Sequence, residues 1–318
     1  MTEPLRTYLY HTAMLVFSST GALINFATVC AILLSKALRK EQNIFTFNLA
    51  LADCISAIAL FINNFYGFPE IPFQLENGSW IQPLFTAGLF LSILSTLAIA
   101  FERFIILRYD ALGHRHIVTA KRSIAICVIG WIVVPSTYFI IHGFNRHASN
   151  ILVNVVSPCA ILACLTITAL CYILIYKKIA SISDIVLNDA ALQRRAKNSK
   201  KILVTFALVV ASTTACWVIM CCVLLVEIYG ALEETLWFIV LADVGNVLVS
   251  INGILNPVII WLRLTVFRNK LDACFGSRIC RRAFESQNPS LAQSHSTTTT
   301  IKQSVSTINI DLKDITEN

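Results

Sequence analysis

The chain has 318 residues, of which 56% are hydrophobic and 14% are charged, and its formal net charge at pH 7 is +7. Soluble globular domains carry about 25% charged residues, so this composition excludes an ordinary soluble domain and indicates several membrane spans. The basic residues lie in short clusters between apolar runs, which is typical of loops that flank membrane helices. A nucleic-acid partner is therefore not expected.

Seven apolar stretches are long enough to span a bilayer, which takes about 20 residues in a helix. Because lipid offers no hydrogen-bond partners to the backbone, each stretch should form an α-helix. The predicted fold is an all-α membrane protein, a seven-transmembrane helix bundle. The predicted spans are residues 10–35, 43–66, 80–107, 121–143, 150–177, 200–226 and 235–261.

The distribution of lysine and arginine predicts the orientation of the bundle. Segments on one side of the predicted membrane carry 2 of the 25 basic residues, and segments on the other side carry 23. Basic loops remain in the cytosol, so the N-terminus is predicted to lie outside the cell and the C-terminus inside, in the plasma membrane. Asn77 begins an Asn-Gly-Ser glycosylation sequon in a predicted outer loop.

The chain after the last span changes in character. Bases alternate with apolar residues and then give way to serine and threonine, which predicts a C-terminal amphipathic helix on the membrane surface followed by a disordered tail. Cys274 and Cys280 are candidates for reversible acylation. The predicted regions are 1–9 (a short extracellular N-terminus), 10–261 (the seven-span domain), 262–284 (the amphipathic and basic segment) and 285–318 (the Ser/Thr-rich tail).

Polar side chains inside the predicted spans need a physical reason, since a carboxylate at mid-bilayer costs about 2.5–3.5 kcal/mol. Asp53 lies in the second span, and a lone carboxylate there calls for a cation or a proton. It would share a buried polar core with Asn25, Ser92, Asn252 and Asn256. For the uncharged members, simple hydrogen bonding between helices is the alternative.

A second polar group lies toward the outer ends of the spans, where an outward-facing ligand pocket would form. Its members are Asn63, Asn64, Phe85, His142 and Asp243. For Asp243, a solvated helix end is the alternative. The sequence contains no H-E-x-x-H, G-x-S-x-G or phosphate-loop motif, so neither a catalytic site nor a cofactor is predicted. No lysine lies in the interior of a span, which excludes a covalent retinal aldimine.

The third span ends in two adjacent charges, Glu102 and Arg103. Taken alone, Arg103 is explained by a side chain that extends to the lipid headgroups. The basic residues around the third inner loop likewise have two explanations, which are attraction to anionic lipid and a docking surface for a cytosolic protein.

Taken in order, these fragments resemble the rhodopsin-like (class A) G-protein-coupled receptors. Asn25 resembles the asparagine of the first helix in that family, and residues 48–53 (NLALAD) resemble its second-helix signature. The remaining matches are Glu102-Arg103-Phe104 with D/E-R-Y, Trp131 with the fourth-helix tryptophan, Cys216-Trp217 with C-W-x-P, and Asn256-Pro257 with N-P-x-x-Y.

The resemblance implies a role for each matching residue. Arg103 would be the switch that faces the G protein, restrained by Glu102, and Asn256 with Pro257 would belong to the same activation machinery. Trp217 would be a rotamer switch at the floor of the ligand pocket. The buried polar core around Asp53 would hold an allosteric sodium ion.

The chain also departs from the family's pattern. Phe104, Ile219 and Ile260 replace the last residues of three motifs, and Phe85 occupies the position at which amine receptors carry aspartate. The cysteines that usually tether the third helix to the second outer loop are missing. These departures resemble divergent chemosensory receptors, including the nematode serpentine type.

The expected function is that of a receptor, not an enzyme. It would sense an extracellular small molecule or peptide and activate a heterotrimeric G protein, with a receptor kinase and an arrestin as partners of the tail. The alternatives are a seven-helix transporter or channel, which would need more ionisable residues at mid-depth, and a non-signalling seven-helix scaffold.

Overall fold

A computed structural model describes residues 3–67, 80–109, 117–185, 190–227 and 235–263. The described residues form α-helices in the order α1 Glu3–Leu34, α2 Ile44–Tyr66, α3 Ile81–Tyr109, α4 Ala120–Phe144, α5 Arg146–Ile151, α6 Ser157–Ile185, α7 Ala190–Glu227 and α8 Leu236–Arg263. A 3₁₀ turn, Glu41–Asn43, precedes α2, and a π-helical segment, Leu152–Val156, joins α5 to α6.

Seven of these helical segments are long and apolar enough to cross a membrane, which confirms the predicted fold. The fifth span combines α5, the π-helical segment and the first part of α6. The first helix begins at Glu3, although the span was predicted to begin at about residue 10. Leu5, Tyr8 and Leu9 continue the apolar surface of α1 beyond the predicted start.

Prolines lie beyond the first turn in three of the helical spans. Pro257 lies inside α8, as the sequence predicted, and Pro135 lies inside α4. The turn before Pro158 is not a regular α-helical turn but the π-helix Leu152–Val156. The hydroxyl of Ser157 donates to the Leu152 carbonyl oxygen at 2.7 Å, so a side chain supplies one of the hydrogen bonds in this wider turn.

The third span occupies the middle of the bundle, since α3 packs against α2, α4 and α6. The helices α1 and α8 pack against each other and close the bundle on the other side. In the most apolar 18-residue stretch of α4, only 6% of the residues are buried, whereas 61% are buried in the corresponding stretch of the span that contains α2. The fourth span is therefore peripheral, and most of its surface is left to face lipid.

One close helix contact positions the buried polar core. A side chain at Gly88 of α3 would collide with the hydroxyl of Ser56 on α2 and would also touch the Ala52 carbonyl oxygen at 3.4 Å. Ser56 itself donates to that carbonyl at 2.8 Å. Glycine at this position allows the two helices to approach closely.

Several predictions concern residues outside the described ranges. These are the glycosylation of Asn77, the acylation of Cys274 and Cys280, the amphipathic helix and the Ser/Thr-rich tail. They remain predictions from the sequence.

Candidate functional site

The C-terminal part of α3 places Arg103 in contact with three parts of the bundle. Its guanidinium lies 3.7 Å from the carboxylate of Glu102 and donates to the Gln42 carbonyl oxygen, before α2, at 3.1 Å. The guanidinium carbon also lies 5.9 Å from the centre of the Phe206 ring on α7. A single arginine therefore connects the turn between α1 and α2, the third span and the sixth span.

Hydrogen bonding around this arginine is incomplete. Glu102 is 3% exposed, and its Oε2 atom is buried without a hydrogen-bond partner among the described residues, as is Nε of Arg103. The hydroxyl of Tyr172 on α6, which interacts electrostatically with Arg103, is also buried and without a hydrogen bond in the described part of the chain. Each such buried group costs about 1–3 kcal/mol, so other arrangements of these side chains can recover free energy.

The polar core predicted from the sequence is assembled around Asp53, which is 4% exposed. The amide of Asn256 on α8 donates to its carboxylate at 3.2 Å, and Ser92 on α3 is a second hydrogen-bond partner. Asn256 also accepts from the hydroxyl of Thr213 on α7, at 3.4 Å. This arrangement links the second, third, sixth and seventh spans through side chains alone.

Asn25 contributes to the same region in a different way from the one predicted. Its amide donates to the backbone carbonyl oxygen of Gly253 at 2.7 Å and does not contact Asp53 directly. In a regular helix that carbonyl would accept from residue 257, but Pro257 has no N–H group. Asn25 therefore satisfies the acceptor that the proline leaves unpaired.

A small cavity of about 30 Å³ lies beside Asp53 and is also lined by Asn252, Ser18 and Phe85. The Oδ1 atom of Asn252 is buried there without a hydrogen-bond partner among the described residues. A carboxylate and an unpaired amide oxygen are the ligands that a hard cation prefers, and the volume is sufficient for a small ion or a water molecule. The residues present thus fit a sodium ion.

A second buried hydrogen-bond chain attaches the peripheral α4 to the bundle. The indole N–H of Trp131 donates to the side-chain oxygen of Asn48 at 2.8 Å, and the Asn48 amide donates to the hydroxyl of Ser95 at 2.8 Å. Asn48 and Trp131 were recognised from their motifs, whereas Ser95 was not. Ser95 lies about one helical turn after Ser92, so both serines share a face of α3, and this spacing could have identified Ser95 from the sequence.

Trp217 lies in the middle of the bundle and is 3% exposed. It packs in an apolar cluster with Ile93 on α3, Leu165 on α6 and Val249 on α8. Its indole N–H is buried and has no hydrogen-bond partner in the described part of the chain. A large side chain without a fixed polar contact is free to change rotamer if its apolar neighbours move.

The residues predicted to line the outer ligand pocket have separate environments. Asp243 accepts from Arg6 of α1 at 2.9 Å, and Asn64 lies 3.1 Å from the ring of His11. His142 contacts Ser149 across the turn that follows α4, at 3.3 Å, while Asn63 is exposed. Phe85 lines the small cavity near Asp53. The contacts of Asp243 and Asn64, which bring the start of α1 against the C-terminal end of α2 and the N-terminal half of α8, were not anticipated.

The comparisons with known proteins agree with this geometry. The family described as 7 transmembrane receptor (rhodopsin family) matches residues 24–260 of the chain. Among solved structures, the crystal structure of squid rhodopsin is similar with a TM-score of 0.71. The match has 16% sequence identity and covers 87% of each chain, so it supports the likeness of fold.

Proposed function

Since the chain belongs to the rhodopsin family of seven-transmembrane receptors, we propose that it senses an extracellular ligand and activates a heterotrimeric G protein. The observation that carries this proposal is the position of Arg103, which contacts the first inner loop, Glu102 and Phe206 of α7. Arg103 would restrain the sixth span in the inactive state. Release of these contacts would open the inner end of the bundle and free Arg103 itself to bind the G protein, so the arginine is needed in the active state as well.

The proposed orientation places this end of the bundle in the cytosol of a cell with the receptor in its plasma membrane. The support is the distribution of basic residues, with 23 of 25 on one side of the bundle. The Ser/Thr-rich tail would then be available to a receptor kinase, and each phosphate would add a charge of about −1.5 to −2 for recognition by an arrestin.

The ligand acts by binding the active state better than the inactive one, because a ligand with equal affinity for both states does not shift the equilibrium between them. Phe85 in place of an aspartate argues against an amine, so a small chemosensory molecule or a short peptide is proposed. Trp217 would carry the change from the ligand to the inner side, because it packs against α3, α6 and α8 at once.

The cavity at Asp53 is proposed to hold a sodium ion that favours the inactive state. A cation that binds only the native protein stabilises it by RT ln(1 + [Na⁺]/Kd). Replacement of choline chloride by sodium chloride at constant ionic strength should raise the thermal midpoint of the purified receptor. Asp53→Asn should abolish this difference, whereas an equal response of the two proteins would exclude the site.

The function is tested by expressing the full chain in cells and measuring guanine-nucleotide exchange on representative G proteins during exposure to panels of volatile, small polar and peptide ligands. The proposal expects at least one ligand to accelerate exchange in cells with the receptor and not in matched cells without it. A receptor that reaches the cell surface and gives no exchange with any panel or G protein would contradict the proposal and favour the non-signalling scaffold.

A further inference from the structure

An opening lined by both basic and apolar residues lies between the inner ends of α3 and α6, outside the contacts that Arg103 makes. Its volume is about 530 Å³, and its lining includes Phe104, Arg108 and Tyr109 of α3 with Lys177 and Lys178 of α6. The proposed activation mechanism uses none of these side chains. The opening therefore requires an explanation of its own.

The helical spacing explains why the bases converge. Phe104 and Arg108 are four residues apart, so they lie on one face of α3. Leu174, Lys177 and Lys178 are three and four residues apart on α6, so they too share a face. Because α3 and α6 pack against each other, the two faces meet at this opening. Three cationic groups thus surround one concave site, and its described lining contains no acidic residue.

The neighbouring side chains indicate the environment of the site. Leu174 and Tyr176 on α6 are 50% and 61% exposed, and Leu170, one turn nearer the membrane centre, is 53% exposed. Such apolar exposure on a membrane helix is the surface left for lipid chains. The bases of the opening therefore lie where the apolar surface of α6 ends, at the level of lipid headgroups.

We propose that this opening binds the headgroup of an anionic inner-leaflet phospholipid that carries more than one phosphate. Basic pockets at the cytosolic ends of membrane helices recognise such headgroups. Arg108 can hold a phosphate with two parallel hydrogen bonds, while Lys177 supplies a point charge to a second phosphate and Lys178 adds to the positive potential. Tyr109, which meets the Phe104 ring edge to face at 6.4 Å, forms an aromatic wall with a hydroxyl donor.

The inference rests on the proposed orientation, which places the opening at the inner leaflet. It requires neither a ligand nor a G protein. The bound lipid would connect α3 to α6 and thereby influence the helices on either side of the cytosolic crevice.

The test uses the purified full chain in phosphatidylcholine nanodiscs that contain a small fraction of phosphatidylinositol 4,5-bisphosphate, with native mass spectrometry to count bound lipids. Loss of one charge-assisted hydrogen bond to a bound phosphate weakens binding by about fivefold or more. Replacement of Arg108, Lys177 and Lys178 by glutamine should reduce binding by about tenfold or more.

The matched control replaces Lys36, Arg39 and Lys40 by glutamine. These three bases are exposed in the first inner loop and carry the same charge on the same side of the bundle. The proposal expects the control to change binding by less than about twofold. Equal losses in the two triple variants would show delocalised attraction and overturn the proposal.

Two further measurements distinguish a headgroup with several phosphates from one with a single phosphate, and a lipid from a free anion. Binding of phosphatidylserine as tight as that of the bisphosphate lipid would contradict selection for more than one phosphate. Binding of soluble inositol trisphosphate to receptor in pure phosphatidylcholine, as tight as that of the lipid, would assign the site to a free anion. If the triple variant fails to fold, Lys177→Gln alone is measured, with an expected loss of about fivefold against Lys36→Gln as its control.

Discussion

Asn25 and Pro257 lie on different helices and are coupled through one backbone carbonyl. Pro257 cannot donate to the carbonyl oxygen of Gly253, and the side chain of Asn25 donates to it at 2.7 Å. The asparagine therefore compensates for the proline. The effects on stability of substituting Asn25 and Pro257 should therefore depend on each other.

Asn25→Ala should lower the free energy of unfolding by about 1–3 kcal/mol, because it leaves a buried carbonyl unpaired. In a Pro257→Ala background the residue at 257 can donate to Gly253, so the same substitution should cost clearly less. The measurement is thermal or denaturant unfolding of the four proteins in lipid nanodiscs. Additive effects of the two substitutions would show that the shared carbonyl does not couple them.

At the residue scale, the sequence predicted which polar side chains are buried in the bundle better than it predicted their partners. The polar side chains of Asp53, Ser92 and Asn256 inside apolar spans indicated a common polar core, and the three residues do meet. The partner of Asn25 depends on a missing N–H group in another helix. The contact of Arg103 with Gln42 involves a carbonyl group, which every residue has, so no pattern of side chains could have revealed it.

Among the helices, the packing of α2 against α3 depends on a small residue. Gly88 faces Ser56 so closely that even a methyl group would collide with the serine hydroxyl. The two helices carry Asp53 and Ser92, so their separation also sets the geometry of the polar core. Membrane helices use small residues in this way because close backbone approach supplies the van der Waals contact that holds them together.

Gly88→Ala should destabilise the receptor by about 1–3 kcal/mol, the usual cost of overpacking, and lower its thermal midpoint. Gly253→Ala is the matched control, since a methyl group there meets nothing within 4 Å. Ser56→Ala removes the colliding oxygen and should rescue most of the loss in the double variant. The account of this interface would fail if Gly88→Ala and Gly253→Ala had the same effect.

The sequence predicted the helices more accurately than it predicted their interruptions. Hydropathy gave the seven spans because lipid leaves the backbone no alternative to a helix. The π-helix before Pro158 depends on local contacts such as that of Ser157 with Leu152, which the sequence does not reveal. The early start of α1 likewise depends on tertiary contacts, because Arg6 and His11 reach α8 and α2.

For the whole molecule, the asymmetry of basic residues predicts which end faces the cytosol. An epitope placed before α1 should be labelled by antibody on intact cells, and an epitope at the C-terminus only after permeabilisation. The reason is that 23 of the 25 basic residues lie on the side of the C-terminus. Labelling with the opposite pattern would invalidate the orientation and, with it, the proposed G-protein surface.

The central claim is that Arg103 controls coupling to the G protein from the inner end of the third span. Arg103 is held by a long ion pair with Glu102, by the Gln42 carbonyl and by the Phe206 ring, and several of the surrounding polar atoms are unpaired. Neutralising the Glu102 carboxylate should release Arg103, whereas removing Arg103 should abolish coupling to the G protein.

The most direct measurement is basal guanine-nucleotide exchange in membranes that contain equal amounts of the intact receptor, Glu102→Gln or Arg103→Ala, with Arg39→Ala as a control for the loss of one exposed inner base. Loss of an ion pair of about 1 kcal/mol shifts an equilibrium about fivefold, so Glu102→Gln should raise exchange severalfold. Arg103→Ala should reduce exchange to that of receptor-free membranes, and Arg39→Ala should leave it near that of the intact receptor. Identical exchange with the intact receptor, Glu102→Gln and Arg103→Ala would contradict the account.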